Sequence, residues 1–187
     1  MPRYVAFLRA INVGGHVVKM AELRKLFESM GLDGVETFIA SGNVLFESPA
    51  KADRALEEKI EAHLKKRLGY AVDTFVRSIA ELQAIAVYEP FSAADFDLDR
   101  TRTLYVGFLA KPPAAADAKK LMALRTKDEA FHVHGREFYW ISTVGIGQSV
   151  FSGALLEKTI RTPATLRNIN TVRRLVAKYG QGTKMRP

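Results

Sequence analysis

What most constrains this chain is the order in which its apolar spacing changes. From Tyr4 to Val76 the spacing switches between the two-residue period of strands and the three-to-four-residue period of helices, in the order strand, helix, strand, strand, helix, strand. Residues 4–8 read as a buried first strand. Met20, Leu23, Leu26, Phe27 and Met30 follow at helical spacing, with Gly31 placed to end the helix. Val35–Ile39 and Val44–Phe46 are two short strands joined by Ala40-Ser41-Gly42-Asn43, a turn in which Gly and Asn tolerate positive φ. Ser48-Pro49 is expected to open the second helix, with Leu56, Ile60, Leu64 and Leu68 as its stripe and Gly69 as its cap. Val72–Val76 closes the set. This order is the split βαβ unit of ferredoxin-like folds.

A connecting helix through Ile79, Leu82, Ile85 and Ala86 ends near Pro90. The stretch from Phe91 to Arg100, with Asp95, Asp97 and Asp99, reads as a surface link. A second round then begins. Thr103–Leu109 is a strand, Pro112-Pro113 starts an alanine-rich helix through Leu124, and Phe131–Val133 pairs with Phe138–Ile141 across His134-Gly135-Arg136. The pattern repeats, but no sequence identity between the rounds stands out. Small residues from Ser142 to Ser149 lead to a helix around Ser152–Ile160. A final helix is expected from Pro163 to Tyr179, with Thr162 as N-cap and Leu166, Ile169, Val172, Leu175, Val176 and Tyr179 as its buried stripe. From Gly180 onward apolar content is lacking and a mobile tail is expected. The expected architecture is α+β: two ferredoxin-like (βαββαβ-type) halves, 1–90 and 91–187, the second with additional C-terminal helices and a basic tail.

Composition narrows the function classes. A length of 187 residues and 48% apolar content support one large core or two small ones. No run approaches the roughly 18 apolar residues of a membrane span. The N-terminal apolar run breaks at Arg9 and Asn12 and has no small-residue cleavage site, so it reads as a strand rather than a signal peptide. The chain has no cysteine, which excludes disulfides, zinc–thiolate sites, iron–sulfur clusters and thiol nucleophiles, and fits a cytoplasmic protein. The net charge of +8 is uneven: residues 1–90 balance twelve bases against twelve acids, while residues 91–187 carry sixteen bases and eight acids. Residues 158–187 hold eight bases and no acid, which points toward an anionic partner or simply toward solubility.

Three segments carry a likeness to a known family: Leu8-Arg9-Ala10-Ile11-Asn12-Val13-Gly14-Gly15 with Lys19-Met20, then Ser41-Gly42-Asn43-Val44-Leu45-Phe46, then Thr165-Leu166-Arg167-Asn168-Ile169-Asn170-Thr171-Val172. In order and spacing they resemble the bacterial family known as domain of unknown function 1697. The resemblance implies a cytosolic α+β protein with ferredoxin-like halves and supplies no activity. Two positions depart from the family pattern: Ala10 stands where it has glycine, and Ile169 where it has tryptophan. If that tryptophan lined a ligand site, the contact is changed here; if it packed, Ile169 fits the apolar stripe.

Five features bear on chemistry, each beside a plainer reading. The Arg9–Gly15 loop lies between a strand and a helix, so the N–H groups of Gly14 and Gly15 and the helix start favour anions, with Arg9 and Lys19 adding charge. It matches neither nucleotide-binding glycine motif, and its glycines also serve simply to turn the chain. Gly145-Ile146-Gly147-Gln148-Ser149 is a similar small-residue loop. Thr165, Arg167, Asn168, Asn170 and Thr171 crowd polar groups into the expected start of the last helix, where Asn and Thr are poor formers; ligand contact and structural hydrogen bonding both remain open. The four histidines give no third metal ligand, and His16 has no acid or nucleophile beside it in sequence. Leu104–Leu109 looks like the short motif of RNA-recognition domains, but Arg136–Ile141 lacks both small residues of the longer one, having Glu137 and Tyr139 instead, and aromatic packing is the alternative for Tyr105 and Trp140.

The expectation is therefore a binding site for a small anionic or phosphate-bearing ligand, formed by Arg9, Asn12, Gly14, Gly15, Lys19, Ser41, Asn43, Arg167 and Asn168, with no metal and no cofactor. The alternative is nucleic-acid binding by the basic last helix and the aromatic sheet. No residue has a catalytic partner that can be named, so the sequence does not decide whether the protein is an enzyme.

Overall fold

Strand alternation sets the centre of the first sheet. In the computed structural model, which describes residues 1–12, 14–39, 42–92, 102–144 and 146–180, β1 (Arg3–Leu8) lies antiparallel between two neighbours. With β2 (Asp33–Phe38), β3 (Asn43–Glu47) and β4 (Thr74–Ser78), the order is β2-β3-β1-β4. On one face Tyr4, Ala6, Leu8, Val44, Phe46 and Val76 pack against Leu23 and Phe27 of α1 (Met20–Glu28) and Leu56, Ile60 and Leu64 of α2 (Arg54–Leu68). On the other face Val5, Phe7, Leu45, Phe75 and Arg77 are also buried.

The edge strand β4 is guarded. Glu61 accepts from the Thr74 N–H at 2.9 Å and Glu57 from the Val76 N–H at 2.8 Å, so carboxylates of α2 occupy donors that would otherwise template another strand. Glu57 and Arg77 are both fully enclosed, 3.8 Å apart. The helix α2 begins at Arg54 rather than at Ser48-Pro49. Asp53 is its N-cap, accepting from the Leu56 N–H at 3.1 Å, whereas Ser48 Oγ closes a tight turn by accepting from the Ala50 N–H. Gly69 ends α2 in the left-handed conformation, as expected. After β4, Ser78 and Glu81 cap α3 (Ile79–Val87) reciprocally: Glu81 Oε2 accepts from the Ser78 N–H and Ser78 Oγ from the Glu81 N–H.

The second sheet has the same logic. β5 (Thr103–Leu109) has the bounds expected from sequence and lies antiparallel between β7 (Glu137–Ser142) and β8 (Ala164–Asn168); β6 (Glu129–His134) completes the order β6-β7-β5-β8. Leu109, Phe131, Phe138 and Trp140 pack with Leu121 of α4 (Ala115–Ala123) and with Leu156 and Ile160 of α5 (Gly153–Ile160). The helix α4 starts two residues after Pro113, because Ala114, its N-cap, is still extended with ψ 144°.

One expectation is overturned. Ala164–Asn168 is a strand, and the last helix, α6, spans only Ile169–Tyr179. The apolar spacing of Leu166, Ile169 and Val172 runs unbroken across the junction, but the backbone of 164–168 is taken by β5. Asn168 then caps α6 by accepting from the Asn170 N–H at 2.9 Å, so the polar cluster serves a strand and a cap.

The repeat also reaches residue identity. Tyr4-Val5-Ala6-Phe7-Leu8 and Tyr105-Val106-Gly107-Phe108-Leu109 differ at one position, and Arg77-Ser78-Ile79 differs from Arg167-Asn168-Ile169 only in the middle. The registers coincide: Val5 faces Arg77 and Val106 faces Arg167. Each arginine donates through Nη1 to the carbonyl of the residue before it, Val76 or Leu166. Among the described residues the protein is thus a mixed α/β chain with two four-stranded antiparallel sheets and six helices. Its contacts group Met1–Ile85 with the chain from Arg174 on as one unit, and Ala86–Arg173 as the other.

Candidate functional site

Of the residues singled out in sequence, Arg9 and Asn12 lie on the loop leaving β1 and Asn43 at the start of β3, and the two segments touch where the Leu8 N–H meets the Gly42 carbonyl. The loop leaving β1 is anchored at several points. The Arg9 N–H donates to the Asp73 carbonyl at 2.9 Å, and Arg9 Nη1 to Asp73 Oδ2 at 3.0 Å. Asn12 Oδ1 accepts from the Val18 N–H at 2.7 Å, closing the loop on itself. The Tyr70 hydroxyl donates to the Ile11 carbonyl at 3.0 Å, and the His16 ring stacks on Tyr70 with centroids 3.8 Å apart. Desolvation, and then the nearby Glu22 carboxylate, hold the Tyr70 hydroxyl above its ordinary pKa, so it remains a donor. The β2–β3 turn joins from the other side: the Leu8 N–H donates to the Gly42 carbonyl at 2.8 Å. Asn43 is buried, and its Nδ2 holds the Phe38 carbonyl at 3.1 Å.

Backbone geometry distinguishes these segments. Ala10 (φ 53°), Gly14 (67°), Gly15 (87°), Ile39 (49°) and Gly42 (70°) all lie in the left-handed region. For alanine and isoleucine that conformation is disfavoured. A Cβ on Gly14 or Gly15 would meet nothing within 4 Å, so these glycines serve the turn and leave open space above it. Lys19 is exposed and forms the N-cap of α1 without a capping side chain.

The remaining positions divide as follows. Ser41 and Gly145, like the acidic stretch 93–100 and the tail from 181, lie outside the described residues. Arg167 and Asn168 belong to the second unit, on β8 rather than at a helix start. Arg167 Nη1 donates to Thr165 Oγ1 and to the Leu166 carbonyl, both at 2.8 Å. Although the residue keeps some surface, its guanidinium is dry enough that burial lowers its pKa to about 10. The anchors Asp73 and Tyr70 escaped sequence reasoning because their partners are some sixty residues away; the only local hint was a Tyr and an Asp after the glycine cap.

The other candidates have structural partners too. Trp140 and Tyr139 are buried, and Trp140 Nε1 donates to Glu129 at 3.1 Å, so neither ring presents a face to a base. Burial, and then Glu137, hold the Tyr139 hydroxyl far above its ordinary range. His132 Nε2 and the Tyr88 hydroxyl are 2.9 Å apart, and Tyr88 stacks on His134. On α6, Arg174 lies over the Phe38 ring, Lys178 meets Glu36 at 3.2 Å and Arg173 reaches the Ala86 carbonyl. Among the described residues no three metal-ligating side chains come together, and no helix is long and apolar enough to cross a membrane.

Known proteins place the chain by likeness. Its structure is similar to that of the conserved bacterial protein SP0830 from Streptococcus pneumoniae, with 25% identity, coverage of 97% of this chain and 99% of that one, and a TM-score of 0.65. No curated protein matches it. The pattern of the family described as "Protein of unknown function (DUF1697)" matches residues 1–139, which take in the glycine loop and the hairpin but end before β8. On that match the chain belongs to this family.

Proposed function

We propose that the first unit binds a small anionic, phosphate-bearing ligand at the sheet end where the β1–α1 loop meets the β2–β3 turn. The observation that carries this reading is the concentration of left-handed residues there, two of them non-glycine and strained. Strain retained at one place is a recurrent mark of binding sites, and left-handed residues within turns expose successive N–H groups to an anion. The first turn of α1 adds a partial positive charge. Lys19 supplies the full charge. Arg9, Asn12 and Asn43 act by holding the loop and turn in shape through Asp73, Val18 and Phe38. We also read each half as ferredoxin-like, supported by the shared second-third-first-fourth strand order.

Backbone amide NMR with inorganic phosphate, nucleotides and sugar phosphates tests the site. Saturable shifts at Gly14, Gly15, Met20 and Ala21, weakened several-fold in Lys19→Ala, are expected. If no ligand at millimolar concentration moves those amides, the reading fails.

A further inference from the structure

The second unit has a cleft of about 350 Å³ where the segment after β5 faces the turn between α5 and β8. Its walls include Lys111, Ala114, Asp117, Arg161 and Thr162. In the first unit the corresponding segments are the β1–α1 loop and the residues before β4, joined there by Arg9 and Asp73. We infer that this cleft is a second anion site, taking inorganic phosphate or a small phosphate monoester. The inference stands apart from the site proposed in the first unit.

Three features carry it. The cleft lies within the size range of small-molecule sites. Its lining carries a net positive charge: Lys111 and Arg161 stand against one carboxylate, Asp117, which also meets Lys120 from outside the cleft. And the guanidinium is fixed in place. Asp117 is 2% exposed, and its Oδ2 accepts from both Nε and Nη2 of Arg161 at 2.8 Å. The Arg161 side chain nevertheless stays 70% exposed, so a planar fork with five donors is held at one edge and open at the other.

The hydrogen bond from Arg161 holds the Asp117 carboxyl below the ordinary range, with Lys120 adding to that, so the anchor stays ionised at neutral pH. Thr162 contributes a hydroxyl on the same wall. The α4 start adds to these groups: Ala114 has no side chain that can cap it, so the first N–H groups of the helix are left for another acceptor. Arg161 is itself in the left-handed conformation at the end of α5, where glycine is the usual residue.

The test is an amide NMR titration of the whole chain with inorganic phosphate, against sodium chloride at matched ionic strength. Saturable phosphate-specific shifts at Ala115, Ala116 and Thr162 are expected. Arg161→Ala should abolish them but would also strip Asp117 of its partner. The deciding variant is therefore Lys111→Ala, at an exposed position, which should weaken phosphate binding by roughly tenfold without changing the spectrum of the free protein. Absence of saturable shifts in this cleft, or an unchanged affinity in Lys111→Ala, would overturn the inference. Shifts confined to Gly14 and Gly15 would overturn it while supporting the site of the first unit.

Discussion

The two halves share a central strand, Tyr-Val-X-Phe-Leu, and the one residue that differs is explained by what lies opposite. Ala6 faces Val44 across the sheet, whereas Gly107 faces Phe138. A Cβ added at Gly107 would overlap the Phe138 ring, so the second half exchanges a methyl for an aromatic lying across its backbone. Position in the sheet thus dictates which residues of the strand are apolar, and the neighbour on the same face dictates their size. The arginines facing Val5 and Val106 differ in the same way. Arg77 is fully enclosed beside Glu57, whereas Arg167 keeps some surface and bonds to Thr165. Identical registers therefore do not confer identical environments.

That contrast is broken most severely by removing Arg77. Arg77→Ala removes the enclosed cation 3.8 Å from buried Glu57, which keeps the partly exposed Arg54 at 3.4 Å, so it should cost about 2–3 kcal/mol, and Arg167→Ala should cost clearly less. Denaturant midpoints compare the two, and equal losses would show that the environments are equivalent after all. Replacing Arg77 by methionine together with Glu57 by glutamine, whose amide oxygen can still accept from the Val76 N–H, should recover part of the loss, since burying an ion pair gains little over uncharged packing.

The next effect is at the differing strand position. Gly107→Ala drives a methyl into a packed ring and should destabilise by about 1–3 kcal/mol. Adding Phe138→Val, which copies the Ala6–Val44 arrangement of the first half, should make that alanine tolerable, though it opens space where the ring was. A double-mutant cycle reads the coupling. Additive losses would mean that the glycine is there for some reason other than the ring.

Much of this fold was legible because alternation and turn chemistry act locally. The bounds of β5, the cap at Gly69 and the paired strands on either side of Gly135 all follow from residues within a few positions. β8 was not, because its Leu166 continues the helical spacing of Ile169 and Val172, and Thr162-Pro163 imitates a helix start. The dissenting signal was the run of poor helix formers, Thr165 and Asn168 on the strand and Asn170 in the first turn of α6. At the candidate site the glycine turn could be read, but the anchoring of Arg9 by Asp73 could not. That contact spans 64 positions and exists only once β4 pairs beside β1. The repeat between the halves was missed because its matches are short and hold meaning only with the register in view.

The smallest expected effect concerns the loops that follow the shared strands. Beyond Leu109 the chain runs through two prolines straight into α4, whereas beyond Leu8 it turns through Ala10, Gly14 and Gly15, all left-handed. Ala10 and Gly14 are both exposed, and a Cβ on Gly14 would touch nothing, so substitutions at either position report backbone preference almost free of packing. A left-handed L-residue is disfavoured by about 1–2 kcal/mol, partly offset by the extra unfolded-state freedom of glycine. Ala10→Gly should therefore stabilise by about 0.5–1 kcal/mol, and Gly14→Ala should destabilise by a similar amount, with unchanged denaturant slopes. If the strain at Ala10 serves the proposed site, Ala10→Gly should also weaken phosphate binding there, because the loop is freed to leave its shape. A stabilised variant that binds as well as the parent would show that the strain is incidental, and would leave Gly14 and Gly15 as the part of the loop that meets the ligand.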